Sequence, residues 1–264
     1  MNEMRQSALS HRSVSGRSHA LGITGLAVAI LTSGLTTAAP ALANTCGESF
    51  SGGSGTSGNP FLISEAADVT ALKGDFNCWA SGTYFEQTAD VDMGDDDNLP
   101  TTWTDHAIGT SSNRFAGSYE GAGHRISGLN IEFDDDSTDD GDYAGFFGYL
   151  TGTVSNLGFT GAVSGDTFVG GLVGRLGNAK QISNSYATGS VSGEGSVGGL
   201  VGYSLGVSGT SDNLVSRSFA TGSVESTTKY AGGLIGSMRF TSVEDSYATG
   251  AVDSDSSDFG GLIG

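Results

Sequence analysis

From about residue 144 the apolar positions of this chain recur as two phrases in a background rich in Gly, Ser and Thr. One phrase is Gly-Gly-Leu-Val/Ile-Gly. It spans Gly170 to Gly174, Gly198 to Gly202, Gly232 to Gly236 and Gly260 to Gly264, with Ala144-Gly145-Phe146-Phe147-Gly148 as a diverged first copy. The copies start 26, 28, 34 and 28 residues apart. The second phrase keeps step: Ile182-Ser183-Asn184-Ser185-Tyr186-Ala187-Thr188-Gly189-Ser190-Val191. It returns as Val215 to Val224 and Val243 to Val252, with Val154 to Val163 as a looser first copy. A fixed period in this range marks a repeat array whose units stack on their neighbours. No long stretch carries the 3.6-residue period of a helix, whereas short β-branched runs punctuated by Gly predict strands. A unit of about 28 residues suits one coil of a parallel β-helix, with two or three short strands and coils stacked roughly 4.8 Å apart. Ile182, Val215 and Val243 should then lie above one another, as should Leu172, Leu200, Leu234 and Leu262. The segment Gly206 to Asn213, which lengthens one unit to 34 residues, should bulge as a loop.

Alternation along the second phrase sorts its side chains. Ser185 and Ala187 share one face; Asn184, Tyr186 and Thr188 share the other. The matching pairs are Ser218/Ala220 and Ser246/Ala248, with Leu157/Phe159 in the first copy. Small residues giving way to large apolar ones suit an inner stack in a coil that widens. The expectation is therefore that Ser185 and Ala187 point inward and that Tyr186, Phe219 and Tyr247 form an outward aromatic column. The opposite arrangement, with the rings as core, follows from the usual burial of large apolar residues and stays open here.

These phrases resemble the GLUG motif, named for its Gly-Leu-x-Gly core and found in tandem on bacterial surface proteins. Upstream segments resemble the entry coils of such proteins: Asn59 to Ser64, Tyr84 to Met93, Trp103 with Ile108-Gly109, and Phe115 to Leu129. Relatives usually read closer to Tyr-Asp-Gly-Asn-Gly-His where this chain has Tyr119-Glu120-Gly121-Ala122-Gly123-His124, so Glu120 and Ala122 depart from the pattern. The resemblance covers roughly residues 53–264. It implies an all-β fold, a right-handed parallel β-helix, and says little about function, because one fold hosts many functions.

The first 43 residues read as a secretory signal peptide: Arg5, Arg12 and Arg17, a largely apolar stretch from Leu21 to Leu42, and the small-x-small ending Ala41-Leu42-Ala43. An uncleaved anchor is the alternative. Residues 44–80 read as an N-terminal cap and 81–264 as the β-helix, with the GLUG-type repeats from about 144. Ser64 to Lys73 is the one plausible helix, with Ser64 as N-cap, placed to cover the open first coil. Cys46 and Cys78 are the only cysteines, and in an exported protein they are expected to form a disulfide. The last phrase ends at Gly264 without the atypical sequence of a capping repeat, so further coils or an anchoring domain are expected downstream.

Charge narrows the partners. After Ala43 there are 8 Lys and Arg against 28 acidic residues, a formal net charge of −20. Nucleic acid and anionic membrane both call for a cationic surface and are excluded as general partners.

Candidate chemistry is sparse. Asp90, Asp92, Asp95, Asp96 and Asp97 form one acidic cluster, and Asp134, Asp135, Asp136, Asp139, Asp140 and Asp142 another. Asp134, Asp136 and Asp139 are weak Ca²⁺ candidates, although the run does not fit an EF-hand: counted from Asp136, position twelve is Phe147 rather than Glu. Solvated acidic loops are the plainer reading. Parallel β-helices also host polysaccharide lyases and hydrolases, but the basic residues here are scattered and assemble no catalytic set. His106 and His124 stand outside any His-Glu-x-x-His, and no nucleophile elbow is present, so no catalytic residue and no cofactor is assigned. Thr160, Thr188, Thr221 and Thr249 repeat once per unit, too thinly for an ice- or mineral-binding face. The expectation is a secreted or cell-surface scaffold that binds a glycan or a surface protein through Tyr186, Phe219 and Tyr247 without catalysis. The alternative is a polysaccharide-active enzyme.

Overall fold

The computed structural model describes residues 46–47, 49–133, 142–177, 180–209, 213–255 and 257–264. The signal-peptide segment and Asp134, Asp136 and Asp139 lie outside these. Residues 42–264 form one compact unit. Its strands are short, all pair in parallel, and build five sheets that the chain visits in turn from Ser118 onward.

The first sheet has seven strands: Phe61–Ile63, Tyr84–Gln87, Ser118–Glu120, Thr153–Ser155, Gln181–Ser183, Asn213–Ser216 and Thr241–Glu244. The second has six, among them Gly158–Phe159, Tyr186–Ala187, Phe219–Ala220 and Tyr247–Ala248. The third, also of six, includes Val163–Gly165, Val191–Gly193, Val224–Ser226 and Val252–Ser254. The fourth runs Tyr143–Ala144, Phe168–Gly170, Ser196–Gly198, Ala231–Gly232 and Phe259–Gly260. The fifth runs Phe147–Leu150, Val173–Gly177, Val201–Leu205 and Ile235–Arg239. The architecture is an all-β parallel β-helix. A complete coil holds five strands rather than the two or three expected, because each phrase contains more than one corner. The first sheet already includes Phe61–Ile63, within the stretch read as cap.

One repeat is one coil. Ile182 pairs with Val215 and Val215 with Val243. The amides of Leu172, Leu200 and Leu234 donate to the carbonyls of Leu200, Leu234 and Leu262 at 2.9–3.0 Å. The long unit keeps register on both sides of its insertion, of which residues 210–212 are not described: Leu205 pairs with Arg239 and Asn213 with Thr241. Asn213 is fully buried; its Nδ2 donates to Leu176 O and Ser204 Oγ, and its Oδ1 accepts from Lys180 N.

Inside, the core tapers. The inward position of the second sheet reads Val91, Ile126, Phe159, Ala187, Ala220 and Ala248 along the stack. Large rings (Trp79, Phe85, Trp103, Phe115, Tyr119, Phe146, Phe147) fill the N-terminal coils. The Gly-Gly-Leu-Val-Gly phrase makes the corner between the fourth and fifth sheets. Leu172 enters the core with no exposed surface, while a Cβ at Gly174 would stand 2.9 Å from Ala144 N, Ala144 O and Gly148 O. The corner backbones approach too closely for side chains, so the flanking residues must be Gly.

The helix of the cap spans Ala66–Gly74, and its N-cap is Glu65 rather than Ser64. The reason is the buried Asp68 carboxylate, which accepts from Glu65 N, Ser64 N, Ser51 N and Ser51 Oγ. Satisfying those amides from inside the first turn moves the helix start one residue on. The helix lies between the first two strands of the first sheet, and Val69 and Leu72 join the common core. Cys78, on the short 3₁₀ turn Phe76–Trp79, is bonded to Cys46.

Candidate functional site

Tyr186, Phe219 and Tyr247 occupy register-paired positions on the second sheet and face outward, while Ala187 and Ala220 behind them are fully buried. Their rings stack at 5.0 Å between centroids, with interplanar angles of 7° and 3°. The column ends over Gly158: a Cβ there would collide with the Tyr186 ring. Each ring leans on the coil before it, so neighbouring faces cover each other and the ring edges line the outer surface. Tyr247 is 51% exposed. Such pairs contribute about 0.5–1.5 kcal/mol each beyond their burial.

The inward Ser of the same phrase has a use that spacing does not reveal. Ser185 Oγ donates to Ser183 O and accepts from Leu157 N in the preceding coil; Ser218 Oγ donates to Ser216 O and accepts from Ser185 N; Ser246 Oγ accepts from Ser218 N. At this corner Asn156, Asn184, Arg217 and Asp245 have φ between 48° and 54°. The left-handed turn takes the following amide out of the ladder, and the buried hydroxyl satisfies it.

Two carboxyls of the first acidic cluster, Asp90 and Asp96, are held below the usual value. Slight burial pushes the Asp90 carboxyl up. The Arg125 amide, the His124 ring at 3.2 Å and the Arg125 guanidinium outweigh that and hold it below the usual carboxylate value. The backbone amide and side chain of Asn98 hold Asp96 low in the same way. A glycosidase acid requires the opposite shift. Near the disulfide, Asp75 accepts from Gly47 N and Asn77 N. Cys46, Asp75 and Cys78 are close enough to share a metal, but the oxidised sulfurs offer no thiolate.

A second aromatic surface was not anticipated from the sequence. On the fifth sheet Tyr149, Arg175, Tyr203 and Ser237 follow one another in register. Beside them on the fourth sheet run Tyr143, Phe168 and Ser196. Tyr143 stacks on Tyr149 at 5.4 Å and on Phe168 at 5.7 Å, and Phe168 stacks on Tyr203 at 4.9 Å. The Arg175 guanidinium sits 4.7–5.9 Å from all four ring centroids.

Comparison with known proteins agrees with the phrases. The model of the GLUG motif matches residues 167–192. A protein of Evansella cellulosilytica, provisionally named a Gly-rich membrane protein, is 35% identical over 120 residues, 42% of this chain and 12% of that one. Halomucin of Haloquadratum walsbyi is 33% identical over 219 residues, 72% of this chain and 2% of that one. The chain thus spans a small fraction of the curated relatives it matches. A crystal structure provisionally identified as an immunoglobulin A1 protease of Bacteroides ovatus aligns over 81% of this chain and 87% of that one, at 19% identity and a TM-score of 0.45. The chain thus carries the GLUG motif at residues 167–192, and the phrase of that motif repeats coil after coil.

Proposed function

We propose that this chain is an exported, surface-exposed scaffold that binds a glycan or a surface protein along its outward ladders and does not cleave what it binds. The observation that carries the reading is the register of the second-sheet column: three rings repeat at a constant 5.0 Å on a rigid parallel sheet. Such a surface offers an extended ligand the same contact coil after coil, and the ring edges and Tyr247 supply apolar area beside the Thr188, Thr221 and Thr249 hydroxyl positions. The depressed carboxyls at Asp90 and Asp96 support binding over acid catalysis. The names of the two curated relatives, a membrane protein and a halomucin, support a cell-surface setting.

Replacing Tyr186, Phe219 and Tyr247 together with Ser tests the column. The residues behind them stay buried, so the fold should persist with a stability loss of about 1–3 kcal/mol from the two lost stacks. Retention on a panel of immobilised polysaccharides and surface proteins should fall at least tenfold. Undiminished retention by the folded triple variant would remove the column from the account.

A further inference from the structure

The fourth and fifth sheets carry a feature that the second-sheet column lacks. Of the eight Lys and Arg that follow Ala43, Arg114, Arg175, Lys229 and Arg239 gather on this one face. Among the described residues the Lys and Arg in ion pairs are Lys73, with Asp105, and Arg125, with Asp90. Among the described residues none of the four gathered cations has a carboxylate within 4 Å. Arg114 stands 4.7 Å from the Tyr149 centroid, next to the ring system that surrounds Arg175. Arg175 Nε is buried with no hydrogen-bond partner, and Nη1 reaches Tyr143 Oη only at 3.5 Å. On a chain whose formal charge is −18, four gathered cations with no ion-pair partner among the described residues set this face apart.

The two ladders also open into a cleft. After Phe168 the fourth-sheet ladder drops to Ser196, and after Tyr203 the fifth-sheet ladder drops to Ser237. The missing rings leave a depression of about 330 Å³, within the range of small-ligand sites. Phe168, Tyr203 and Tyr230 line it as rings, Gly195, Ser196 and Ser237 are its small residues, and Lys229 and Arg239 bring charge. Among the described residues no carboxylate lines the cleft, and Asp142 on the fourth-sheet side accepts a hydrogen bond from Thr167. Rings for the apolar face of a sugar, hydroxyls for its hydroxyls and cations for an acid group are thus present together.

We propose that this cleft binds an acidic polysaccharide, with one uronic-acid unit seated against Tyr203 and Tyr230 and its carboxylate on Lys229 and Arg239. The aromatic–cation ladder beyond, through Phe168 and Arg175 to Tyr149 and Arg114, continues the track for neighbouring units. Single-stranded nucleic acid could also use rings and cations, but its denser charge meets the repulsion of the acidic remainder of the chain. The site is on other sheets than Tyr186, Phe219 and Tyr247 and stands apart from that column.

The test is fluorescence anisotropy of the full chain with a labelled galacturonate hexamer, the same hexamer fully methyl-esterified, and a labelled oligo-dT. The acid hexamer should bind at least tenfold more tightly than the ester and than oligo-dT, and should weaken as salt rises. Lys229→Gln with Arg239→Gln, both exposed, should lose at least tenfold for the acid and leave the ester unchanged. Equal binding of acid and ester, no binding of the acid hexamer, preference for oligo-dT, or an unaltered double variant would each overturn the proposal.

Discussion

Gly189→Ala should destabilise the β-helix by about 3 kcal/mol, at the upper end of what overpacking costs. A Cβ at Gly189 falls inside the van der Waals radius of Gly161 O in the preceding coil. The obstacle is backbone, so it cannot move aside as a flexible side chain would. The same contact recurs between Gly222 and Gly189 O and between Gly250 and Gly222 O, so a shift at one coil is passed to the next. For a domain of this size the loss corresponds to a Tm about 6–12 °C lower in a thermal melt followed by circular dichroism. Gly58→Ala is the control: a Cβ there meets nothing within 4 Å, and its effect should stay within about 1 kcal/mol. Equal melting of both variants would mean that the coils are not stacked as described.

Loss of the disulfide is the second large effect. Cys46 and Cys78 close a loop of sequence separation 32, for which chain entropy gives about 3–4 kcal/mol. The arm has other ties: Gly47 N to Asp75, and Ser51 to Asp68 at 2.7–2.8 Å. The double variant Cys46→Ala/Cys78→Ala should therefore keep its coils and lose stability at the N-terminal end. Hydrogen exchange should show the Gly47 and Ser51 amides losing protection while the Leu172 and Leu200 amides keep theirs. Unchanged protection at Gly47 and Ser51 would show that the polar ties suffice.

What the sequence showed of this fold was its periodicity. Leu172 and its counterparts, and Ile182 with Val215 and Val243, are nearly identical residues at nearly constant spacing. Identity along a stack is what a parallel register produces, so the coil could be read directly. The number of strands per coil could not. Its corners are made by residues such as Asn184 and Arg217 in the left-handed region, which look like ordinary strand residues on paper. The outward position of Tyr186 followed from alternation, but the orientation of its ring over Gly158 needed coordinates. The helix start moved from Ser64 to Glu65 because Asp68 bonds to an arm residue, Ser51, a long-range contact invisible to local capping rules. The basic aromatic face escaped notice for the converse of the reason that exposed the coil. Its stacked positions hold different residue types, Tyr149 over Arg175 over Tyr203, so no column stood out among scattered cations.

Binding without turnover is the claim on which the functional account rests. The direct measurement is a time course of reducing ends, and of the unsaturated ends that a lyase would make, with the full chain held on a polysaccharide that it retains. The account predicts retention proportional to protein, with no ends released above the protein-free control over many hours. Release that grows with time and protein, and that disappears when Asp95, Asp96 and Asp97 are replaced by Asn, would contradict it and make the chain an enzyme.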